Sequence, residues 1–235
     1  MYRGLFINLD RDRDRLRHME AELKRFGLAN HYERLRAIEA EPGRLGCMRS
    51  HLKALDFARR QRDAVHILED DSILSARLKP FLNSDAAAEL LDQYDILFLD
   101  MWIDPSIAAV NRYRDALANP GPMDLKGTRV ACASSYVVSP QSAARLLKIL
   151  RLSPPPIDAR YSELVQTGEI TAAVMVPFLT GVDIRLGSES SIQSAPEGAM
   201  RNLIMLRTAF FVDPDRQPSA TFALSGANVD VQFPA

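Results

Sequence analysis

The reactive potential of this sequence is concentrated in one short stretch, Val65-His66-Ile67-Leu68-Glu69-Asp70-Asp71-Ser72. Mostly apolar, β-favouring residues run straight into three carboxylates, Glu69, Asp70 and Asp71. The run is too short for a helix and inverts its polarity at its end, which predicts a buried parallel strand with an acidic carboxyl end. Open α/β sheets bind their ligands at that end. Adjacent carboxylates repel one another unless a cation, a basic side chain or water spreads the charge. Hard oxygen ligands of this kind suit Mg²⁺ or Mn²⁺, above all beside a phosphate-bearing substrate. A solvated loop cluster or a helix cap would use the same residue types, and the stretch alone does not choose. Two further features carry polar groups. His51 shares a helix face with Cys47, Ala54 and Ala58, where a lone histidine more often hydrogen-bonds inside the core than binds a ligand. Asp10 to Arg17 alternates in sign, a self-neutralising helix start from which one arginine can reach a phosphate.

The elements that must position these groups follow from periodicity. A strand over residues 4–9 leads to a helix over 12–26, with Leu16, Met19, Leu23 and Phe26 on one face and Gly27 as its stop. A short strand over 32–38, a turn at Glu41-Pro42-Gly43 and a helix over 44–60 precede the acidic strand. Ser84 or Asp85 caps a helix through Leu91, which leads into an apolar strand over 94–100 that again ends in an acid. Residues 101–126 carry Pro105, Pro120, Gly121 and Pro122 and read as a long irregular connection. Strand material follows at 130–133 and 135–138, and Ser139-Pro140 starts a helix to Leu150. After Pro154-Pro155-Pro156 come a helix over 158–166, stopped by Gly168, and a strand over 171–176. This alternation predicts an α/β protein with a mixed, mostly parallel sheet and helices on both faces. Residues 1–195 read as the domain, and 196–235 as a tail packing on it or on a second subunit.

Composition narrows the class of function. A chain of 235 residues is long enough for a sizeable core, and a net charge of −1 argues against a nucleic-acid binder working through a basic surface. The two cysteines, Cys47 and Cys132, lack metal-ligand spacing and read as free thiols in a reducing compartment. The first residues lack the basic-then-apolar layout of a signal peptide. No apolar run reaches the length of a membrane span, since the best one, over 172–182, is short and holds Pro177. A cytoplasmic location is expected, with peripheral contact with the inner membrane and homo-oligomerisation through the tail as its open possibilities.

Four blocks in order give the chain a relative. Ile7-Asn8-Leu9 is followed by Arg15, and Gly46-Cys47 by Ser50-His51. Leu68-Glu69-Asp70-Asp71 is the third block, and Ser135-Tyr136-Val137-Val138-Ser139 with Ala143-Ala144 and Leu146-Leu147 the fourth. Their order and spacing resemble glycosyltransferase family 25, which includes lipooligosaccharide galactosyltransferases and collagen galactosyltransferase domains. Ile157-Asp158 and Ser190-Ser191-Ile192 match weaker features, so the resemblance runs from about Leu5 to Ile192 and leaves the tail aside. It implies a GT-A-like nucleotide-diphospho-sugar transferase fold, a divalent cation (Mn²⁺ or Mg²⁺) and inverting transfer from a UDP-sugar, commonly UDP-galactose, to a glycan acceptor in cell-surface polysaccharide or lipopolysaccharide synthesis. It further implies a cation on Asp71 and Glu69, with Asp70 assisting, to neutralise the diphosphate leaving group. Asn8 and Arg15 would meet uridine and diphosphate, and Ser50 and His51 fall within the second block of the donor site. Inversion needs a base, and Asp158 matches the family's acid after the proline-containing segment. Asp158 also stands where a helix cap would, and both roles remain open.

Two departures qualify the implied site. Arg44 stands where the family usually has Glu just before the Leu-Gly-Cys block, and facing the cleft it would favour an anionic acceptor. All four histidines precede Asp70, so the late histidine that many metal-dependent relatives use would need replacing by water or an acid such as Asp183. Both departures also suit a noncatalytic nucleotide-sugar-binding or scaffold protein of the same fold. A phosphohydrolase fits less well, because Glu69 stands at the place of its aspartyl nucleophile.

Overall fold

The computed structural model describes residues 2–152, 156–187, 197–212 and 220–232. In chain order the elements are β1 (Tyr2–Asn8), α1 (Arg13–Arg25), β2 (Tyr32–Arg36), α2 (Gly43–Ala58), β3 (Ala64–Glu69), β4 (Ser72–Leu74), α3 (Leu78–Leu82), α4 (Asp85–Gln93) and β5 (Ile96–Phe98). Then follow α5 (Ile107–Ala118), β6 (Gly121–Asp124), β7 (Ser135–Val138), α6 (Pro140–Leu150), α7 (Ile157–Gln166), β8 (Ala172–Val176), β9 (Thr180–Val182), α8 (Ile184–Gly187), α9 (Glu197–Ala209), β10 (Thr221–Ser225) and β11 (Asn228–Gln232).

The main sheet has the order β2-β1-β3-β7-β5-β8-β6. Strands β2, β1 and β3 are parallel, β7 runs against β3 and β5, β8 is parallel to β5, and β6 runs against β8. The expected mixed, mostly parallel α/β sheet is therefore present. Its inner strands are buried on both faces, and alternate residues feed two cores. Leu5, Ile7, Val65, Ile67, Phe98, Tyr136 and Val138 point to one face, under α2, α5, α6 and α7. Phe6, Leu68, Leu97 and Val137 point to the other, where α1 supplies Met19 and Leu23, and α3 supplies Leu78 and Leu82.

Two expectations are corrected. Residues 101–126 are not irregular throughout: they hold α5, whose N-cap Ser106 accepts a hydrogen bond from the Ala109 N–H, and β6. The prolines mark the ends of these elements, and Pro122 is tolerated because β6 is an edge strand. Residues 130–133 form no strand, because Cys132 takes a left-handed backbone (φ 84°) that breaks any ladder. The segment after residue 196, expected as a tail packing on the domain or on a second subunit, begins with a helix, α9, whose Leu206 joins the core together with Phe210 and Phe211. Ser190, Ser191 and Ile192 lie outside the described residues.

The carboxyl ends of β1, β3 and β5 and the amino end of antiparallel β7 share one edge of the sheet. After Glu69 the chain leaves the main sheet, and β4 pairs antiparallel with β9 instead. Asp70 and Asp71 occupy that sharp exit.

Candidate active site

Local bonds aim the acids. The Glu69 N–H donates to the Ser134 carbonyl (2.7 Å), tying the end of β3 to the start of β7, and the Asp183 N–H donates to the Asp71 carbonyl (2.8 Å). Asp70 is buried, its Oδ2 accepting from Asn8 Nδ2 (2.7 Å) and its Oδ1 from Arg15 Nη1 (2.6 Å). Arg15 Nη2 also donates to Asp71 Oδ2 (3.2 Å) and to the Leu186 carbonyl (2.9 Å), so one guanidinium from the first turn of α1 spans both aspartates. Glu69 turns the other way. Its Oε1 lies 3.2 Å from His51 Nε2 and 4.0 Å from Cys47 Sγ, both on α2.

Electrostatics separates the three carboxyls. Burial pushes Asp71 up to about 6, the charge on Glu69 adding to the effect and Arg15 opposing it. Burial also raises Asp70, against the pull of Arg15 and Asn8. Glu69 is lowered: burial acts to raise it, but the His51 hydrogen bond and charge, with Arg15 and Arg207, outweigh that. Burial raises the Cys47 thiol, with Glu69 adding to it. Arg15 faces Asp70 and Asp71, His51 faces Glu69, and buried Arg207 adds its charge toward Glu69 and Asp71; the carboxylate oxygens themselves are of the kind that Mg²⁺ and Mn²⁺ take.

Two cavities meet here. A small one of about 130 Å³ is lined by Asn8, Arg15, Ser50, His51 and the three acids, with Ile7, Ala37 and Ile38 as apolar lining. A larger one of about 500 Å³ is lined by Arg44, Trp102, Arg129, Asp158 and Arg207. Cys47, Glu69 and Asp71 line both and form the wall between them.

Each residue singled out in the sequence can now be placed. Asn8 and Arg15 reach the site, but as supports for Asp70 and Asp71; Asn8 Oδ1 additionally accepts from Arg34 Nε (2.9 Å). Ser50 is buried, donating to the Gly46 carbonyl (2.8 Å) and accepting from the Ile38 N–H (2.7 Å), so its hydroxyl holds α2 to the loop before it. His51 is buried between Glu69 and the Tyr136 hydroxyl (3.0 Å). Asp158 sits in the first turn of α7 behind the N-cap position, which Pro156 occupies, and its Oδ1 accepts from the Ala159 N–H (2.8 Å). Asp183 lies beside Asp71, yet its carboxylate is taken by Arg185 (2.7 Å and 3.1 Å). Arg44 does face the large cavity. Both cysteines are free thiols.

Sequence reasoning missed Arg207 and Trp102. The Arg207 guanidinium is buried against the Asp100 carboxylate and the Ser134 hydroxyl, and it lies 5.4 Å from the Trp102 ring centroid. Asp100 in turn accepts from Ser134 Oγ (2.8 Å). The one available signal was an arginine interrupting an otherwise apolar run over 202–212, beside the sole tryptophan of the chain in a proline-rich connection.

The sheet and its acid-rich edge define an α/β protein with a ligand cleft at the carboxyl ends of its parallel strands. Residues 41–160 match the model of glycosyltransferase family 25 (LPS biosynthesis protein), and the chain belongs to that family. It is accordingly a glycosyltransferase. No curated protein matches the chain. Among solved structures, it is similar to the galactosyltransferase LgtC in complex with donor and acceptor sugar analogues, at 12% identity, a TM-score of 0.37, and coverage of 74% of this chain and 73% of that one.

Proposed function

We propose that the chain is a metal-dependent, inverting enzyme that moves a hexose, galactose first among the candidates, from a UDP-sugar to a glycan acceptor of the cell-surface polysaccharide or lipopolysaccharide kind. The observation carrying this reading is that Asp71 and Glu69 stand in the wall between two cavities, with Asp158 lining the larger one. The uridine end of the donor enters the small cavity against Ile7, Ala37 and Ile38, and its diphosphate competes with Asp71 for Arg15. Asp71, with Glu69 beside it, would hold a divalent ion, which would supply neutralisation of the charge that develops on the leaving diphosphate. Asp70, gripped by Asn8 and Arg15, positions its neighbours. The acceptor occupies the large cavity, where Trp102 offers a flat face to a sugar ring and Arg44 and Arg129 suit an anionic substituent. The Asp158 carboxylate takes the proton of the acceptor hydroxyl as its oxygen bonds to the anomeric carbon. The bond from that carbon to the diphosphate breaks on the opposite face, and UDP leaves with the electron pair.

A second reading, a nucleotide-sugar-binding or scaffold member without turnover, is favoured by one observation: Arg15 already engages both Asp70 and Asp71. A panel of UDP-, GDP- and CMP-sugars, each with and without Mn²⁺, separates the two, because a ligand that binds the folded state raises the melting temperature. Mn²⁺-dependent stabilisation by a UDP-sugar, lost in a folded Asp71→Ala variant, accompanied by release of UDP, supports the enzyme. Stabilisation without any UDP release supports the binding protein. Unchanged Mn²⁺-dependent stabilisation in Asp71→Ala removes Asp71 from the cation site.

A further inference from the structure

The wall between the cavities contains two side chains, Cys47 and His51, to which the sugar-transfer reading gives no step, gathered around Glu69. Cys47 and His51 are four residues apart on α2 and therefore share a face. The carboxylate of Glu69 meets that face from the end of β3. The Cys47 sulfur, a His51 ring nitrogen and a Glu69 oxygen all lie within 4.8 Å of one another, with Glu69 Oε1 3.2 Å from His51 Nε2. Sulfur, imidazole nitrogen and one carboxylate oxygen make a mixed set that suits Zn²⁺, whereas Mg²⁺ and Mn²⁺ prefer oxygen alone.

Three features build the site rather than merely crowd it. His51 is held at its far nitrogen, Nδ1, by the buried Tyr136 hydroxyl (3.0 Å), and the two rings stack with centroids 5.8 Å apart. Metal-binding histidines are characteristically oriented by such a second partner on the opposite nitrogen. Access exists, since Cys47 and Glu69 line both cavities and His51 lines the small one. Finally, helix α2 is seated by close backbone contact at Gly46, where even a β-carbon would come within 2.5 Å of the Ile38 carbonyl, so Cys47 is fixed in place.

We propose that Cys47, His51 and Glu69 form a Zn²⁺ site that meets the Asp71 site at Glu69 and is open on its fourth position to the cavities. Binding replaces the thiol proton of Cys47 with the metal, so one proton is released as the zinc–thiolate bond forms. The inference does not depend on the sugar-transfer reading.

The test is a titration of the full chain with Co²⁺, then Zn²⁺, in buffer free of nucleotide and of competing thiols. One equivalent of Co²⁺ should produce a near-ultraviolet thiolate-to-cobalt absorption that one equivalent of Zn²⁺ abolishes. The absorption should vanish in Cys47→Ser and persist in Cys132→Ser and in Asp71→Ala. Tyr136→Phe, which keeps the buried ring, should weaken Zn²⁺ binding about 10- to 100-fold through loss of the histidine's support. Absence of the absorption in the parent chain overturns the proposal. So does an absorption that survives in Cys47→Ser or is lost in either of the other two variants. Circular dichroism of Cys47→Ser establishes that it folds, and Cys47→Ala provides a second variant of the same position.

Discussion

Asp158 is where two roles diverge at the level of one side chain. As a base it must accept a proton only while the acceptor attacks, so Asp158→Asn should leave donor and cation binding nearly untouched while transfer falls by about two to four orders of magnitude. Among the described residues its Oδ1 serves its own neighbour's N–H, from the first turn rather than the cap position, so the same change should cost little stability. Transfer at the parental rate would move the search for the base to another residue of the large cavity. Asp100 and Asp183 are poor alternatives because Arg207 and Arg185 hold them. His66 offers a measurement of a different kind. It is fully buried between the Tyr32 hydroxyl (2.5 Å) and Ser135 Oγ (2.9 Å), and burial lowers it from its ordinary 6.5 to about 3. A depressed folded-state value means that its contribution is complete above pH 6.5 and is lost as pH falls toward 3. The loss should amount to about 1.4 kcal/mol per pH unit in that window. Denaturant unfolding at pH 7, 6 and 5 should show a shallower acid dependence in His66→Gln than in the parent, and equal slopes would exclude His66 as the source.

At the level of elements, α2 sets most of the site's geometry, and Gly46 sets α2. A β-carbon there would lie 2.5 Å from the Ile38 carbonyl and 3.1 Å from the Ala40 nitrogen, both backbone atoms that cannot simply swing aside. Gly46→Ala should therefore destabilise the fold by about 1–3 kcal/mol, as overpacking does, and should reduce donor affinity by shifting Cys47, Ser50 and His51 together. A parental unfolding midpoint would mean that the loop yields freely. These elements were unevenly legible in the sequence. The acidic strand end was plain because an apolar run turning into carboxylates is a local signal, and Ser139-Pro140 was equally plain as a helix start, with Ser139 Oγ accepting from the Ser142 N–H (3.1 Å). Helix α5 was hidden by the prolines at its borders, although Ser106, Val110 and Tyr113 carry a cap and a buried face. The left-handed turn at Cys132 had no signal at all, since cysteine is not a residue that favours it.

For the whole molecule the decisive contact is the one between Arg207 and Asp100, because it fastens the segment over 197–212 to the sheet edge beneath the large cavity. Both side chains are buried, with relative exposures of 2% and 0%. Removing one partner strands the other charge, so Arg207→Ala should cost about 3–5 kcal/mol, while Arg207→Met combined with Asp100→Leu should recover most of that loss. Urea unfolding of the single and double variants checks this, and equal losses in both would mean that packing around α9 matters more than the charge pair. No local pattern revealed this clasp, because its two ends lie 107 residues apart. Among the described residues no helix is long and apolar enough to cross a membrane. The same clasp also imposes an order on synthesis. A ribosome adds roughly 5–20 residues per second, so Asp100 waits about 5–20 s for its arginine to be made. During that interval the Asp100 carboxylate can gain the Ser134 hydroxyl as a donor but not the guanidinium that offsets its charge. The larger cavity acquires the part of its wall that Arg207 supplies only once that segment is made, and a ribosome stalled before Arg207 would carry a chain unable to finish that wall.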